Sequence, residues 1–267
     1  MKTWAISNQK GGVGKTTTVV TLAGLLSMRG KRVLCIDLDP QGSMTSYFRL
    51  DPDSIQKSAY NLFKDSSEKL TPEPQKYIQK TSFAGLDILP ASVALATLDR
   101  QASKFKGLGL VITNALKKLE PAYDVVLIDT PPMLGVLMIN ALAASDHLIV
   151  PVQTEFLALK GLERMMKTLK MIQKTRHKPL KYTIVPTMFD KRTRASVSSL
   201  NSLRNNYKGK LWRGYITVDT QLREASRAGT PASILSPKSK SVIAYDNLLQ
   251  TIWDDKAKLT LVSNDGR

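Results

Sequence analysis

Cysteine is almost missing from this 267-residue chain, with Cys35 the only one. That excludes a disulfide framework and any zinc or iron–sulfur site assembled within one chain. Histidine is nearly as scarce. His147 and His177 stand apart from each other and from any nucleophile, so neither reads as a metal ligand or catalytic base. Aromatic residues make up 6%, and Trp4, Trp212 and Trp253 are too scattered to form a base-stacking platform. No apolar run approaches the roughly 18 residues of a membrane span. Met1 to Ser7 leads straight into a strand pattern, without the apolar stretch of a secretory signal. A soluble, cytoplasmic protein is the expectation. Acids are also in deficit, 22 against 39 Lys and Arg, for a net charge of +17. The imbalance is uneven: residues 1–150 carry 17 bases and 13 acids, residues 151–267 carry 22 and 9. A basic second half suits a polyanionic partner, nucleic acid or an acidic membrane surface, and equally a surface charged for solubility.

What is present is an alternation of strand and helix patterns. Lys2 to Ser7 reads as a strand, Thr16 to Met28 as a helix and Lys31 to Ile36 as a buried strand. The polar stretch 50–83 reads as short helices and loops. Leu86 to Leu89 is a short strand, and Val111 to Leu119 part of a helix. Asp124 to Ile128 is the clearest central strand, and His147 to Val150 another, closed by Pro151. Phe156 to Ile172 has the spacing of a long amphipathic helix, in which Met165, Met166 and Met171 read as core, or else as partner-facing, and the basic tract from Lys167 to Lys181 as a solvated face. Tyr182 to Val185 follows as a strand, Val197 to Tyr207 as a helix, Gly214 to Val218 as a last strand, and Ser241 to Trp253 as a C-terminal helix. With neither repeat nor linker, the expectation is one α/β domain over 1–267: a doubly wound, mostly parallel sheet flanked by helices, with ligands at the carboxyl ends of the strands.

The stretch Lys10-Gly11-Gly12-Val13-Gly14-Lys15-Thr16-Thr17 lies between the first strand and the first helix, where a phosphate loop belongs. Glycines let backbone N–H groups face phosphate oxygens, and the helix N-terminus adds its positive end. Lys15 is placed for the β- and γ-phosphates and the Thr16 hydroxyl for Mg²⁺. The common pattern G-x-x-x-x-G-K-[ST] has glycine where this chain has Gln9, so the loop is a variant, with Lys10 ahead of the glycine pair. Asp129 ends the strand Val125 to Ile128, the place of an acid that holds Mg²⁺ through water. Asp37 and Asp39 end the second strand; Asp37 is placed to order Mg²⁺-bound water and Asp39 to orient the attacking water. A single such aspartate is commonly just a helix cap, but three beside one phosphate loop make that reading weak.

The variant loop with Lys10, Asp39-Pro40-Gln41-Gly42, Ile128-Asp129-Thr130-Pro131-Pro132, Pro151 to Glu155 and Pro186 to Thr193 together resemble the ParA/MinD family of deviant Walker A ATPases, nearest its ParA/Soj branch. The resemblance runs in order from Met1 to Tyr245, apart from the divergent 50–83 stretch. It implies a P-loop NTPase fold and a slow ATPase with cofactors ATP, ADP and Mg²⁺. It also implies a monomer that becomes a face-to-face homodimer with ATP. The lysine matching Lys10 then reaches the partner protomer's phosphates, and the acid matching Asp39 is needed for hydrolysis but not for ATP binding. Adenine is expected against Pro186, Thr187 and Met188 and the loop Thr217, Val218 and Asp219.

Four readings of the target follow. The first is a partition ATPase whose ATP dimer binds nonspecific DNA and is stimulated by a ParB-like partner. Its candidate contacts are Lys191, Arg192, Arg194, Arg204, Lys208, Lys210, Arg213, Arg223 and Arg227. Gln221 stands where many relatives carry a DNA-binding arginine. The second is a ParA-like ATPase that positions chemotaxis arrays or other polar complexes through an adaptor. The third is a MinD-like membrane ATPase, which the tail Asp254 to Arg267 serves poorly as an amphipathic anchor. The fourth is a metabolic enzyme on the same scaffold: an iron protein, which would need a second cysteine, or an ATP-dependent synthetase, for whose substrate pocket the sequence carries no signature.

Overall fold

The computed structural model describes residues 1–68, 70–101, 108–176 and 178–253, with 99–101 as backbone alone. His177 and the tail 254–267, weighed above as an isolated histidine and as a weak membrane anchor, lie outside the described residues.

In chain order the elements are β1 (Lys2–Ile6), α1 (Lys15–Met28), β2 (Val33–Asp37), α2 (Ser43–Tyr47), α3 (Ala59–Ser67), β3 (Gln79–Lys80), β4 (Leu86–Leu89), α4 (Ala96–Gln101), α5 (Val111–Leu119), β5 (Val125–Asp129), α6 (Val136–Ala144), β6 (His147–Gln153), α7 (Phe156–Thr175), β7 (Lys181–Thr187), α8 (Arg194–Asn206), α9 (Thr220–Ala228), α10 (Ala232–Leu235) and α11 (Lys240–Trp253). The seven strands form one sheet in the order β3-β4-β2-β5-β1-β6-β7. All pairs are parallel except the two-residue edge strand β3.

Strands β2 and β5 are buried along their whole length because helices cover both faces of the sheet, which is why their sequences read as unbroken apolar runs. Alternate side chains go to opposite cores. Val125 and Leu127 pack with α1 and α11, while Val126 and Ile128 pack with α3, α5, α6 and α7. Register sets the site: Ile6 and Asp37 both lie opposite Asp129, so β1, β2 and β5 end level with one another.

Four expectations need correction. Of the three methionines read as core on α7, Met165 is buried and Met166 packs against the core, but Met171 is 56% exposed. The stretch 50–83 holds, besides helices, the antiparallel edge strand β3. Pro151 does not close β6 but lies inside it, opposite Val185. Its carbonyl accepts from Asn8 Nδ2 at 2.7 Å, on the side where pairing with β1 has ended, so its missing N–H costs no ladder bond. Gly214 to Val218 is not a strand. It meets the end of β7 through Ile216 N–H to Pro186 O (2.8 Å) and the residues after β7 through Phe189 N–H to Ile216 O (2.9 Å) and Val218 N–H to Phe189 O (3.4 Å), with a single bridge between Phe189 and Thr217. Pro186 has no N–H to donate outward and Met188 turns at φ 52°, so no continuous ladder forms.

Candidate phosphate and magnesium site

The loop 8–14 leaves the carboxyl end of β1 and feeds α1. Gly12 and Gly14 have φ of +73° and +89°, a region that costs an L side chain and not glycine. Asn8 Oδ1 accepts the Lys10 N–H at 3.2 Å, and Thr18 Oγ1 donates to Gly14 O at 2.7 Å and meets the buried Tyr245 hydroxyl at 3.0 Å. Lys15 is buried, with its ammonium 3.3 Å from Lys10 O. Burial pulls its pKa below the usual lysine range, against the opposing fields of Asp129 and Asp39.

Thr16 Oγ1 donates to Asp129 Oδ2 at 2.5 Å. Asp129 also accepts the Thr130 N–H at 3.0 Å, and Thr130 Oγ1 ties back to Ile6 O at 3.0 Å. Asp37, fully buried, accepts the Thr45 N–H (2.9 Å) and hydroxyl (2.7 Å) and the Asp39 N–H (3.1 Å). Burial raises the pKa of both carboxyls, that of Asp129 also through the charge of Asp37. Two buried carboxylates and a hydroxyl, all oxygen donors with a deficit of positive charge, fit a hard divalent ion such as Mg²⁺. Asp39 is half-buried at the rim, where it accepts the Gln41 N–H at 3.0 Å.

The sequence thus brings Lys15, Thr16, Asp37, Asp39 and Asp129 to one point. It does not announce what holds the loop from outside. Lys10 Nζ pairs with Glu155, the residue before α7, and the Lys10 stem packs against Gly161. Gln9 Nε2 donates to Thr168 Oγ1 on α7 at 2.9 Å. Thr187 Oγ1 donates to Val13 O at 2.9 Å. Thr187 is buried, and through that bond it braces the loop from the end of β7. Met188 and Val218 are exposed, and their two segments meet through the N–H of Val218 and the carbonyl of Phe189. Asp219 caps α9 by accepting from Gln221 N–H at 2.9 Å and holds Ser241 N–H at 3.2 Å, while Thr217 meets Ser241 through their hydroxyls.

The basic residues separate into three places. Arg192 is paired with Asp190 at 2.7 Å beside Lys191 and Arg194, at the start of α8. Arg223 and Arg227 lie on the exposed face of α9, where Gln221 accepts from Ser236 Oγ at 2.7 Å. Arg204, Lys208, Lys210 and Arg213 line a cavity of about 920 Å³ with Tyr182 and Trp212. That cavity opens where β6 and β7 begin, at the end of the sheet opposite the phosphate loop. Cys35 is buried within β2. Among the described residues no helix is long and apolar enough to cross a membrane.

Comparison with known proteins places this geometry in context. An AAA-domain family model matches residues 1–182. The chain is 34% identical over 249 residues to the sporulation initiation inhibitor protein Soj of Bacillus subtilis, covering 93% of this chain and 96% of that protein. It is 34% identical over 244 residues to the chromosome partitioning protein ParA of Myxococcus xanthus, covering 90% and 83%. Among solved structures, one described as cobyrinic acid a,c-diamide synthase of Mycobacterium smegmatis with bound ADP and magnesium superposes with a TM-score of 0.81 and 33% identity, covering 95% and 94%.

Proposed function

The chain belongs to the ParA/Soj branch of the AAA-domain ATPases, and from that premise we propose that it hydrolyses ATP with Mg²⁺, cycles between a monomer and an ATP-bound homodimer, and binds DNA nonspecifically in the dimeric state to partition or position a cargo. One observation carries the chemistry: the level ends of β1, β2 and β5 set Lys15, Thr16, Asp37 and Asp129 around the loop.

Loop N–H groups and Lys15 bind and orient the β- and γ-phosphates. Thr16, Asp37 and Asp129 would hold Mg²⁺, which when bound neutralises charge on the phosphate oxygens. Asp39, half-exposed at the rim, orients water in line with the γ-phosphate. Lys10 in the monomer rests on Glu155, with both side chains partly exposed. An ion pair of that kind contributes about 0–1 kcal/mol. A partner protomer's triphosphate, with several negative charges, competes for Lys10 at little cost.

For DNA, support comes from the cavity at the start of β6 and β7. Lys208, Lys210, Arg204 and Arg213 line it and, among the described residues, no acidic residue does, so sequence-independent phosphate contact fits there. A second reading, positioning of a protein complex through an adaptor, draws on Gln221, which is engaged with Ser236 where a DNA-binding cation is expected.

The test uses three variants. Lys15→Ala should lose nucleotide, Lys10→Ala should bind ATP without dimerising, and Asp39→Ala should dimerise with ATP without releasing phosphate. Asp39→Ala should also bind a nonspecific duplex with ATP but not ADP, with affinity falling steeply with salt. A monomeric Asp39→Ala protein in ATP sinks the mechanism. ATP dimers that ignore DNA favour the adaptor reading. Phosphate release that requires an added carboxylic acid substrate favours a synthetase.

A further inference from the structure

The cavity of about 920 Å³ where β6 and β7 begin has the size of a small-ligand site. Local folding gathers its cations. After α8 the chain turns back at Gly209, where φ is +77°. The segment beyond the turn pairs with β7, Ile184 N–H donating to Lys210 O (2.8 Å) and Trp212 N–H to Ile184 O (2.9 Å). Arg204, in the last turn of α8, and Lys208, Lys210 and Arg213 are thereby brought to one recess. None of the four has an acidic partner among the described residues, and no described acid lines the cavity. Like charges held together repel one another, and an anion among them relieves that repulsion.

Two rings line the same recess. Lys210 Nζ stands 5.2 Å from the centre of the Tyr182 ring, a cation–π contact that holds the ammonium there. Trp212 is only 8% exposed, and Gly214 is what lets its ring lie so close to the chain, since a Cβ there would stand 2.5 Å from Cη2 and Cζ2. The Trp212 indole N–H has no hydrogen-bond partner among the described residues, whereas a buried indole usually finds one. A duplex backbone needs only the cations. The recess, the rings and the unpaired donor are left over by that contact.

We infer that this cavity is a second nucleotide site, which takes a nucleoside polyphosphate. Its phosphates lie among Arg204, Lys208, Lys210 and Arg213, and its base lies against Tyr182 and Trp212 with an acceptor for the indole N–H. The cavity is at the end of the sheet opposite the phosphate loop, so one chain holds both ligands at once. The inference is independent of the DNA reading, and a duplex held by the same cations competes with the nucleotide.

Methylanthraniloyl-ATP, titrated by fluorescence anisotropy into the full chain, is the probe. The wild-type protein should bind two per chain and Lys15→Ala, which loses the phosphate loop, one. That remaining site should have a Kd below about 100 µM at low salt and weaken as salt rises. In the Lys15→Ala background, Lys208→Glu with Arg213→Glu should weaken it at least about tenfold with thermal unfolding unchanged. Trp212→Phe keeps a ring and removes the donor, and should weaken it about fivefold. Inorganic tripolyphosphate, which has no base, should displace the probe at least about tenfold less well than ATP. One site in the wild type and none in Lys15→Ala overturns the inference while leaving the ATPase reading intact. So does binding indifferent to either cavity variant, or tripolyphosphate as effective as ATP. A duplex bound through Lys208 and Arg213 with no nucleotide bound there also overturns it and leaves the DNA reading standing. Nucleotide bound there with the duplex ignored supports it and refutes the DNA contact.

Discussion

Thr45→Val replaces a hydroxyl by a methyl of nearly the same volume at a site with no exposure, so packing changes little and the hydrogen bonds are isolated. The Thr45 hydroxyl donates to Asp37 Oδ2 at 2.7 Å and accepts the Ala91 N–H at 2.8 Å, joining α2 to the end of β2 and to the residue after Pro90. Losing a donor to a carboxylate costs about 1.5–3 kcal/mol, and leaving a buried N–H unpaired about 1–3 kcal/mol. The Thr45 N–H still reaches Asp37, so a total near 4 kcal/mol is expected, roughly a 10 °C fall in melting temperature for a chain of this size.

The loss also has a pH signature. Burial raises the Asp37 pKa, and the Thr45 hydrogen bonds oppose that rise. A carboxyl whose folded pKa is raised holds its proton longer in the folded state, so stability is lost as pH climbs through the folded pKa. Removing a donor to the carboxylate raises that pKa further. The Thr45→Val deficit should therefore be larger at about pH 8, where Asp37 is ionised, than at about pH 5, where the protonated acid needs the donor less. Urea unfolding of the nucleotide-free protein at both values measures it. A deficit below about 1 kcal/mol, or one of equal size at both, refutes the reasoning.

Other expectations follow from single contacts. Gly24→Ala gains about 1 kcal/mol of helix propensity, but its Cβ would stand 2.2 Å from Ser233 Oγ and 2.7 Å from Pro231 Cβ, so a net loss of about 1–2 kcal/mol is expected in urea unfolding; a stabilised variant contradicts it. Lys10→Ala should change monomer stability by less than about 1 kcal/mol, since its Glu155 pair is partly exposed, while abolishing ATP dimers in size-exclusion runs. Tyr245→Phe removes one buried hydroxyl from Thr18, which keeps Gly14 O, and should cost about 0.5–1.5 kcal/mol by thermal unfolding. Lys208→Glu with Arg213→Glu should weaken nonspecific duplex binding and flatten its salt dependence by about two charges' worth of slope; an unaltered slope moves the DNA contact to α9.

Much of the site was legible in the chain because its parts are local. Strand, glycine loop and helix follow one another within Lys2–Met28, and the apolar runs of β2 and β5 each end on an aspartate. Side-chain partners were not legible, because they come from far along the chain. Glu155 lies within a stretch that marks the family, yet its pairing with Lys10 spans 145 positions and that of Gln9 with Thr168 spans 159. Helices α9 and α10 escaped notice: α9 buries little beyond Ala225 and α10 is four residues long. The extended pattern of Gly214–Val218 was real, but an edge proline at 186 left it without a ladder.

By itself the sequence determined the alternation of strands and helices, the phosphate loop and the acids at its strand ends, because periodicity, glycine conformation and residue chemistry act over a few neighbouring positions. Only the tertiary structure decided which strands lie side by side, that Asp37 and Asp129 share one register position, and that α7 holds Gln9 and Lys10 from outside. Those relations depend on sheet order and on burial between distant segments, which no local pattern carries.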